Sequence, residues 1–279
     1  MNYAEKGVVF TAGVDRLVGV ATVPDKPRTT GVLFLVGGPQ YRAGSHRQFT
    51  LLARKLAAEG YACFRFDFAG MGDSEGTRRS FEDTFEDIRS AIVALQVNAP
   101  EVTSVVLWGL CDAASAAMLH GARLDAVGGM VLANPWVHEG EYSPGFRLSH
   151  YYGPLLRQRA AWRRLFKGQV NLRPALADAV KAITGSRAAG GKAAQHFVSD
   201  MLQGIQAFAH PVLVLLSGKD LTAREFGSLL ENDEQWQASM REPAARIAPI
   251  ADSDHTFSRA SWREEVAHLT LDYLESLGR

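Results

Sequence analysis

Three short segments, far apart in the chain, carry the residue types that nucleophilic acyl chemistry needs. The first is Gly109-Leu110-Cys111-Asp112-Ala113, which follows the apolar run Ser104–Trp108 and opens a small-residue stretch, Asp112–Gly121. It has the form of a strand, a sharp turn and a helix, with a nucleophile at the turn. Such a turn strains its central residue and crowds the positions two before and two after it, and Gly109 and Ala113 are small enough to fit. Cys111 is then lifted above the strand end. The Asp112 amide and the N-terminus of the following helix point at the same place, where they favour an anion. On its own, G-x-C-x-A more often marks a buried structural cysteine, so the other segments matter.

The second is Ser217-Gly-Lys-Asp220, directly after the apolar run Pro211–Leu216. A carboxylate just past the carboxyl end of a late strand can reach a histidine on the same edge of the sheet. Asp220 also precedes a helical pattern, so it reads equally as a helix N-cap. The third is Asp252-Ser-Asp254-His255-Thr256-Phe257, between the last strand-like run and the last helical one. The expected set is therefore Cys111 as nucleophile, His255 as base and Asp220 as the group that orients the imidazole. An imidazolium beside a thiol favours the thiolate. The Asp112 amide is one expected oxyanion donor. The resemblance to α/β-hydrolases implies a second donor in the loop after the first parallel strand, here Gly37-Gly38-Pro39-Gln40; Pro39 has no N–H, so the donor is Gly38 or Gln40, with Gly38 preferred. Gln40, Tyr41, Arg42 and His46 follow a strand end and are expected to border the substrate pocket, Arg42 either binding an anion or forming a salt bridge. Asp73 and Ser74 are expected to stabilise their own loop, and Cys63 to lie in the core.

Positioning these groups requires alternating strands and helices. Gly7–Val23 reads as two strands turning near Gly13, and Gly31–Val36 as a strand buried on both faces. Ser45–Glu59 has Phe49, Leu52, Ala53 and Leu56 at helical spacing. Tyr61–Phe66 is a strand; Ser80-Phe-Glu-Asp83 starts a helix whose apolar face is Phe85, Ile88, Ile92 and Leu95. Strands follow at Ser104–Trp108, Val127–Ala133, Pro211–Ser217 and Ala245–Ile250, and helices at Asp112–Gly121, 223–240 and Ser261–Leu277. This repetition implies a mostly parallel sheet with helices on both faces. Residues 137–210 contain no strand pattern and read as an inserted helical lid with helices at Leu155–Phe166, Arg173–Ile183 and Ala193–Phe208, splitting the core into 1–136 and 211–279. The insertion holds ten Lys or Arg against four Asp or Glu, which suits either a solvated surface or a cover that attracts an anionic substrate.

The whole chain has 279 residues, 47% hydrophobic and 22% charged, with 30 Lys and Arg balancing 30 Asp and Glu. Whole-chain disorder and a globally basic nucleic-acid binder are thereby disfavoured. Its two cysteines form no CxxC or Cys/His cluster, so no metal and no cofactor is expected. The N-terminal segment lacks a basic region followed by an apolar one, and no run of about 18 apolar residues occurs. The expectation is a cytoplasmic protein without a transmembrane segment. Its partner is a small-molecule acyl substrate, with a second copy in a homodimer also compatible.

In this context the chain resembles the α/β-hydrolases. The order nucleophile, acid, histidine is theirs, and Phe66-Asp67-Phe68-Ala69-Gly70-Met71-Gly72-Asp73-Ser74 is similar to their D-x-x-G-x-G-x-S loop. More narrowly, Gly37-Gly-Pro-Gln-Tyr-Arg42, Gly44-Ser-His-Arg-Gln48-Phe and Gly109-Leu-Cys-Asp-Ala-Ala-Ser-Ala116 resemble the exosortase A system-associated hydrolase 1 family. That resemblance implies a setting beside bacterial exopolysaccharide and protein-sorting genes. Cysteine at the turn is similar to the Cys-His-Asp sites of dienelactone hydrolases and polyhydroxyalkanoate synthases. The expected activity is cleavage of an ester, thioester or lactone through an acyl-cysteine. Acyl transfer to a carbohydrate or other hydroxyl, and a non-catalytic binding scaffold, are the alternatives.

Overall fold

The computed structural model describes residues 2–38, 40–137, 197–241 and 245–278. The chain divides into two units, residues 1–138 with 197–279, and residues 139–196; the described residues belong to the first. Helices expected at Leu155–Phe166 and Arg173–Ile183 lie outside the described residues.

Eight strands form one sheet: β1 (Tyr3–Ala12), β2 (Asp15–Pro24), β3 (Thr30–Leu35), β4 (Cys63–Phe66), β5 (Ser104–Leu110), β6 (Val127–Ala133), β7 (Val212–Ser217) and β8 (Ala245–Ile250). Their order is β1-β2-β4-β3-β5-β6-β7-β8. The β1–β2 and β2–β4 pairs are antiparallel, and every other pair is parallel. Seven α-helices are described: α1 (Gln48–Ala58), α2 (Phe85–Asn98), α3 (Asp112–His120), α4 (Phe197–Ala207), α5 (Leu221–Asn232), α6 (Glu234–Ser239) and α7 (Ala260–Ser276). None is long and apolar enough to cross a membrane.

Side chains alternate across the central strands, so two cores form. Val32, Phe34 and Trp108 join Phe49 and Leu56 of α1 and Tyr273 and Leu274 of α7 on one face. Leu33, Leu35 and Leu107 join Ile88 and Leu95 of α2, the alanines of α3 and Phe226 of α5 on the other. This is the strand period of two expressed as layers, and it accounts for the continuously apolar runs of β3 and β5. The sheet also reverses its direction of growth at β3: the chain adds β4 on one side and then β5 on the other. The carboxyl ends of β3 and β5 flank that switch point, where open α/β sheets bind ligands.

The expected elements need three adjustments. The helical pattern at 223–240 forms two helices, α5 and α6, parted at the extended Asp233. Ser45–Arg47 is a separate 3-10 turn with left-handed His46 and Arg47, so the helix begins at Gln48. More consequentially, α4 belongs to the core unit, although the sequence reading placed residues 193–208 in the insertion. Phe197, Val198, Met201 and Ile205 are buried in the same core as α3, and the Phe81 and Phe197 rings meet edge to face at 5.4 Å. The apolar stripe of α4 is therefore a core-facing stripe, and the second unit ends at 196.

Candidate active site

Strand β5 ends at Leu110, and α3 starts at Asp112. Cys111 lies between them with φ 63° and ψ −126°, a conformation that non-glycine residues adopt only under constraint. The constraint is visible at Gly109: a Cβ there would sit 2.5 Å from the Ala113 carbonyl oxygen and 2.7 Å from the Ala114 nitrogen. Strand end and helix start thus approach as closely as backbone allows. The Cys111 amide donates to the Ala133 carbonyl at 2.9 Å, which ties the turn to the end of β6. Cys111 is 3% exposed.

The His255 loop comes to the same place. His255 Nδ1 is 2.8 Å from Asp220 Oδ2, with Asp220 almost fully buried. The imidazole is also hydrogen-bonded to the Cys111 side chain. Burial pushes the His255 pKa down. Against it act the negative charge of a Cys111 thiolate and the bonds to Asp220 and Cys111, and together they hold it well above the ordinary histidine value. Such an arrangement favours the protonated imidazole. Asp220 does its second job simultaneously: it is the N-cap of α5, and Oδ2 accepts the Ala223 amide at 3.2 Å. The histidine and the helix N-terminus thus meet the same oxygen atom.

Other expected site residues are differently placed. The Gly38 N–H, the preferred second oxyanion donor, donates to Asp112 Oδ2 at 3.0 Å. A short carboxylate one residue past the turn reaches this loop because Gly37 has no side chain: a Cβ there would meet Asp112 Oδ1 at 1.9 Å. Arg42 takes the second of its two expected roles, the salt bridge. Its guanidinium pairs with Asp67, and with Asp73 at 2.6 Å, while its backbone amide donates to Asp67 Oδ1 at 2.6 Å. Asp67 is wholly buried, so its charge requires that partner. Asp67 also accepts the Asp73 amide at 3.0 Å, and Ser74 donates to the Asp67 carbonyl at 2.7 Å, which gives the Asp73–Ser74 loop the self-stabilising role expected of it. Gln40 Oε1 accepts the Ser45 amide at 2.9 Å. Tyr41 is 51% exposed, with the Arg42 guanidinium over its ring, and His46 is exposed.

Two residues that the sequence reading passed over hold the His255 loop. Asn134 Nδ2 donates to the His255 carbonyl at 3.1 Å and to Ser217 Oγ at 2.9 Å, and Ser217 Oγ donates to the Asp254 carbonyl at 3.0 Å. The available signal was Asn134-Pro135 directly after a strand, a dipeptide that favours a turn. A cavity of about 30 Å³ lies beside the turn, walled by Val36, Gly38, Phe68, Met71, Ala113 and Ala116. A larger one, about 310 Å³, lies between α1 and α7, and neither cavity is lined by Cys111, His255 or Asp220.

A model of the family described as serine aminopeptidase, S33, matches residues 28–241, from the start of β3 past the end of α6. The chain belongs to this family of α/β-hydrolases. The family's description names serine, whereas this chain carries Cys111 at its strand-to-helix turn. Among solved structures, it is similar to the Pf2001 esterase of Pyrococcus furiosus, with TM-score 0.69 and 18% identity over 98% of this chain and 91% of that one. Similar too are Est1E of Butyrivibrio proteoclasticus, at TM-score 0.64 and 13% identity over 98% and 100%, and a dienelactone hydrolase of Anabaena variabilis, at 0.61 and 16% over 99% of both. At these identities the likeness concerns the fold. In sequence, the chain is 39% identical over 66 residues to the quorum-quenching protein AidA of Acinetobacter baumannii, a match covering 22% of each chain.

Proposed function

We propose that the protein hydrolyses an ester, thioester or lactone through a covalent acyl-cysteine. The observation that carries this reading is the continuous line from Cys111 to His255 to Asp220, with the sulfur on a strained turn at the head of a helix. The thiolate attacks the substrate carbonyl carbon; a C–S bond forms and the carbonyl electron pair moves to oxygen. The oxyanion is received by the Asp112 N–H at the start of α3. A second donor is either Gly38, once its N–H leaves the Asp112 carboxylate, or Gln40. Each such donor is worth about 3 kcal/mol in other hydrolases. Collapse breaks the bond to the leaving alcohol or thiol, which takes its proton from the His255 imidazolium. Water then loses a proton to His255 and attacks the acyl-cysteine, which releases the acid and restores the thiolate.

Amides suit this chemistry less well, because a thiolate leaves more readily than an amine. The names of the Pf2001 esterase and the dienelactone hydrolase agree with an ester or lactone substrate. The likeness of the Gly37–Phe49 and Gly109–Ala116 segments to exosortase-associated hydrolases supports a role linked to bacterial exopolysaccharide systems, and a cytoplasmic location is proposed with it.

The test is intact-mass spectrometry of the wild type, quenched in acid, and of His255→Ala, after incubation with a panel of esters and thioesters. An adduct of acyl mass, mapped to Cys111 and absent from Cys111→Ala, is expected. Turnover that survives in Cys111→Ala, or no adduct with any substrate in the panel, overturns the reading. An acylated hydroxyl compound appearing in place of free acid would move it from hydrolysis to transfer.

A further inference from the structure

Asn134 is wholly buried and has a left-handed backbone, φ 46°, which asparagine tolerates better than most residues. It stands one residue beyond β6. The carbonyl of its neighbour Ala133 receives the Cys111 amide, and its own amide donates to the Leu215 carbonyl at 2.9 Å. Its side chain reaches across the strand ends to β7 and the loop after β8. Oδ1 accepts the Ser217 amide at 2.8 Å, and Nδ2 donates to Ser217 Oγ and to the His255 carbonyl. Three of the four hydrogen bonds an asparagine amide can make are thus filled, in a site sealed from water. Ser217 extends the connection to the residue preceding the histidine, through the Asp254 carbonyl.

These contacts converge on one variable. The backbone of Cys111 is fixed to Ala133, and the backbone of His255 is fixed to the next residue, Asn134. The loop that bears His255 has two non-glycine residues in left-handed backbone, Asp252 and Phe257, so it needs side-chain bonds to hold its course. We infer that Asn134, bridged by Ser217, is a positioning residue that sets the approach of the His255 imidazole to the Cys111 sulfur. This rests on the proposed Cys111–His255 chemistry. Neither residue touches the reacting atoms. A displacement of about 1 Å in such a pair costs roughly 100-fold in rate, and loss of buried bonds to two consecutive carbonyls of a short loop is a direct way to produce one.

The experiment uses Asn134→Gly, Asn134→Asp, Ser217→Ala and His255→Ala in the full chain. Glycine keeps the positive φ without strain and removes all three side-chain bonds. Aspartate keeps the shape but presents an acceptor to the His255 carbonyl. Two quantities are measured: the rate of Cys111 alkylation by iodoacetamide across pH, and kcat and KM for p-nitrophenyl acetate. The alkylation profile of both Asn134 variants is expected to move from the wild-type curve toward that of His255→Ala. Their kcat should fall by roughly 10- to 100-fold with little change in KM. Ser217→Ala should move the same way by less. Loss of stability alone would lower the melting temperature and leave the alkylation profile of the folded protein where it was, and that result overturns the inference. If neither Asn134 variant folds, the Ser217→Ala profile decides in the same manner. A His255→Ala profile identical to wild type would instead sink the Cys111–His255 reading itself.

Discussion

Replacing Asp220 by asparagine and by alanine separates two jobs that one oxygen performs. Asp220 Oδ2 receives both His255 Nδ1, at 2.8 Å, and the Ala223 amide, at 3.2 Å. In Asp220→Asn an amide oxygen in that position keeps both hydrogen bonds and loses only the charge. Asparagine caps helices about as well as aspartate, so α5 should be unaffected. The His255 bond drops from charge-assisted to neutral, a loss of about 1–1.5 kcal/mol, or roughly tenfold in kcat/KM. Alanine removes everything: about 1 kcal/mol of capping, and a His255 bond worth about 1.5–3 kcal/mol, or roughly 10- to 150-fold in kcat/KM. Losing the cap should lower the melting temperature of the alanine variant by about 2 °C more than that of the asparagine variant. Ester hydrolysis and thermal melts of the three proteins provide the comparison. The reasoning is refuted if both variants keep wild-type kcat/KM and only alanine melts earlier, because that is the behaviour of a helix cap and nothing more.

Gly109→Ala should destabilise the protein by about 1–3 kcal/mol, since its Cβ would press on the backbone of Ala113 and Ala114 rather than on a movable side chain; a urea midpoint equal to wild type would contradict the close approach described for this turn. His255 binds its proton more tightly in the folded state than in the unfolded chain, so its contribution to stability is complete below about pH 6.5 and declines as the pH rises through the folded value. The difference in unfolding free energy between wild type and His255→Gln should therefore shrink on the alkaline side; growth in that direction would reject an imidazolium held between Asp220 and Cys111.

The fold was legible because β3, β5, β6 and β7 are short apolar runs, and because apolar spacing, a start signal or a small-residue stretch marks helices between them. Cys111, Asp220 and His255 could be selected because their neighbours betray the backbone: small residues around the turn, and polar breaks at the ends of apolar strands. What stayed hidden was the pairing of side chains within loops. Nothing in Gly37-Gly38-Pro39-Gln40 announces that the Asp112 carboxylate engages the Gly38 amide, or that Arg42 is committed to Asp67 and Asp73. Those are competitions between partners brought together only by the fold. Asn134 was obscured similarly, since its partners lie 83 and 121 residues further along the chain. The helix α4 was expected, but its membership in the core was hidden because an apolar stripe looks alike on a lid and on a core helix.

Cys63 has a consequence for how the protein would withstand oxidants. It is sealed inside β4, its thiol donates to the Tyr61 carbonyl at 3.4 Å, and burial pushes its pKa far up. It is the chain's only other cysteine, so a sulfenic acid formed at Cys111 would find no accessible internal thiol to condense with. Recovery would then depend on a small-molecule reductant from the surroundings, and without one the sulfur would proceed to irreversible sulfinic and sulfonic acids.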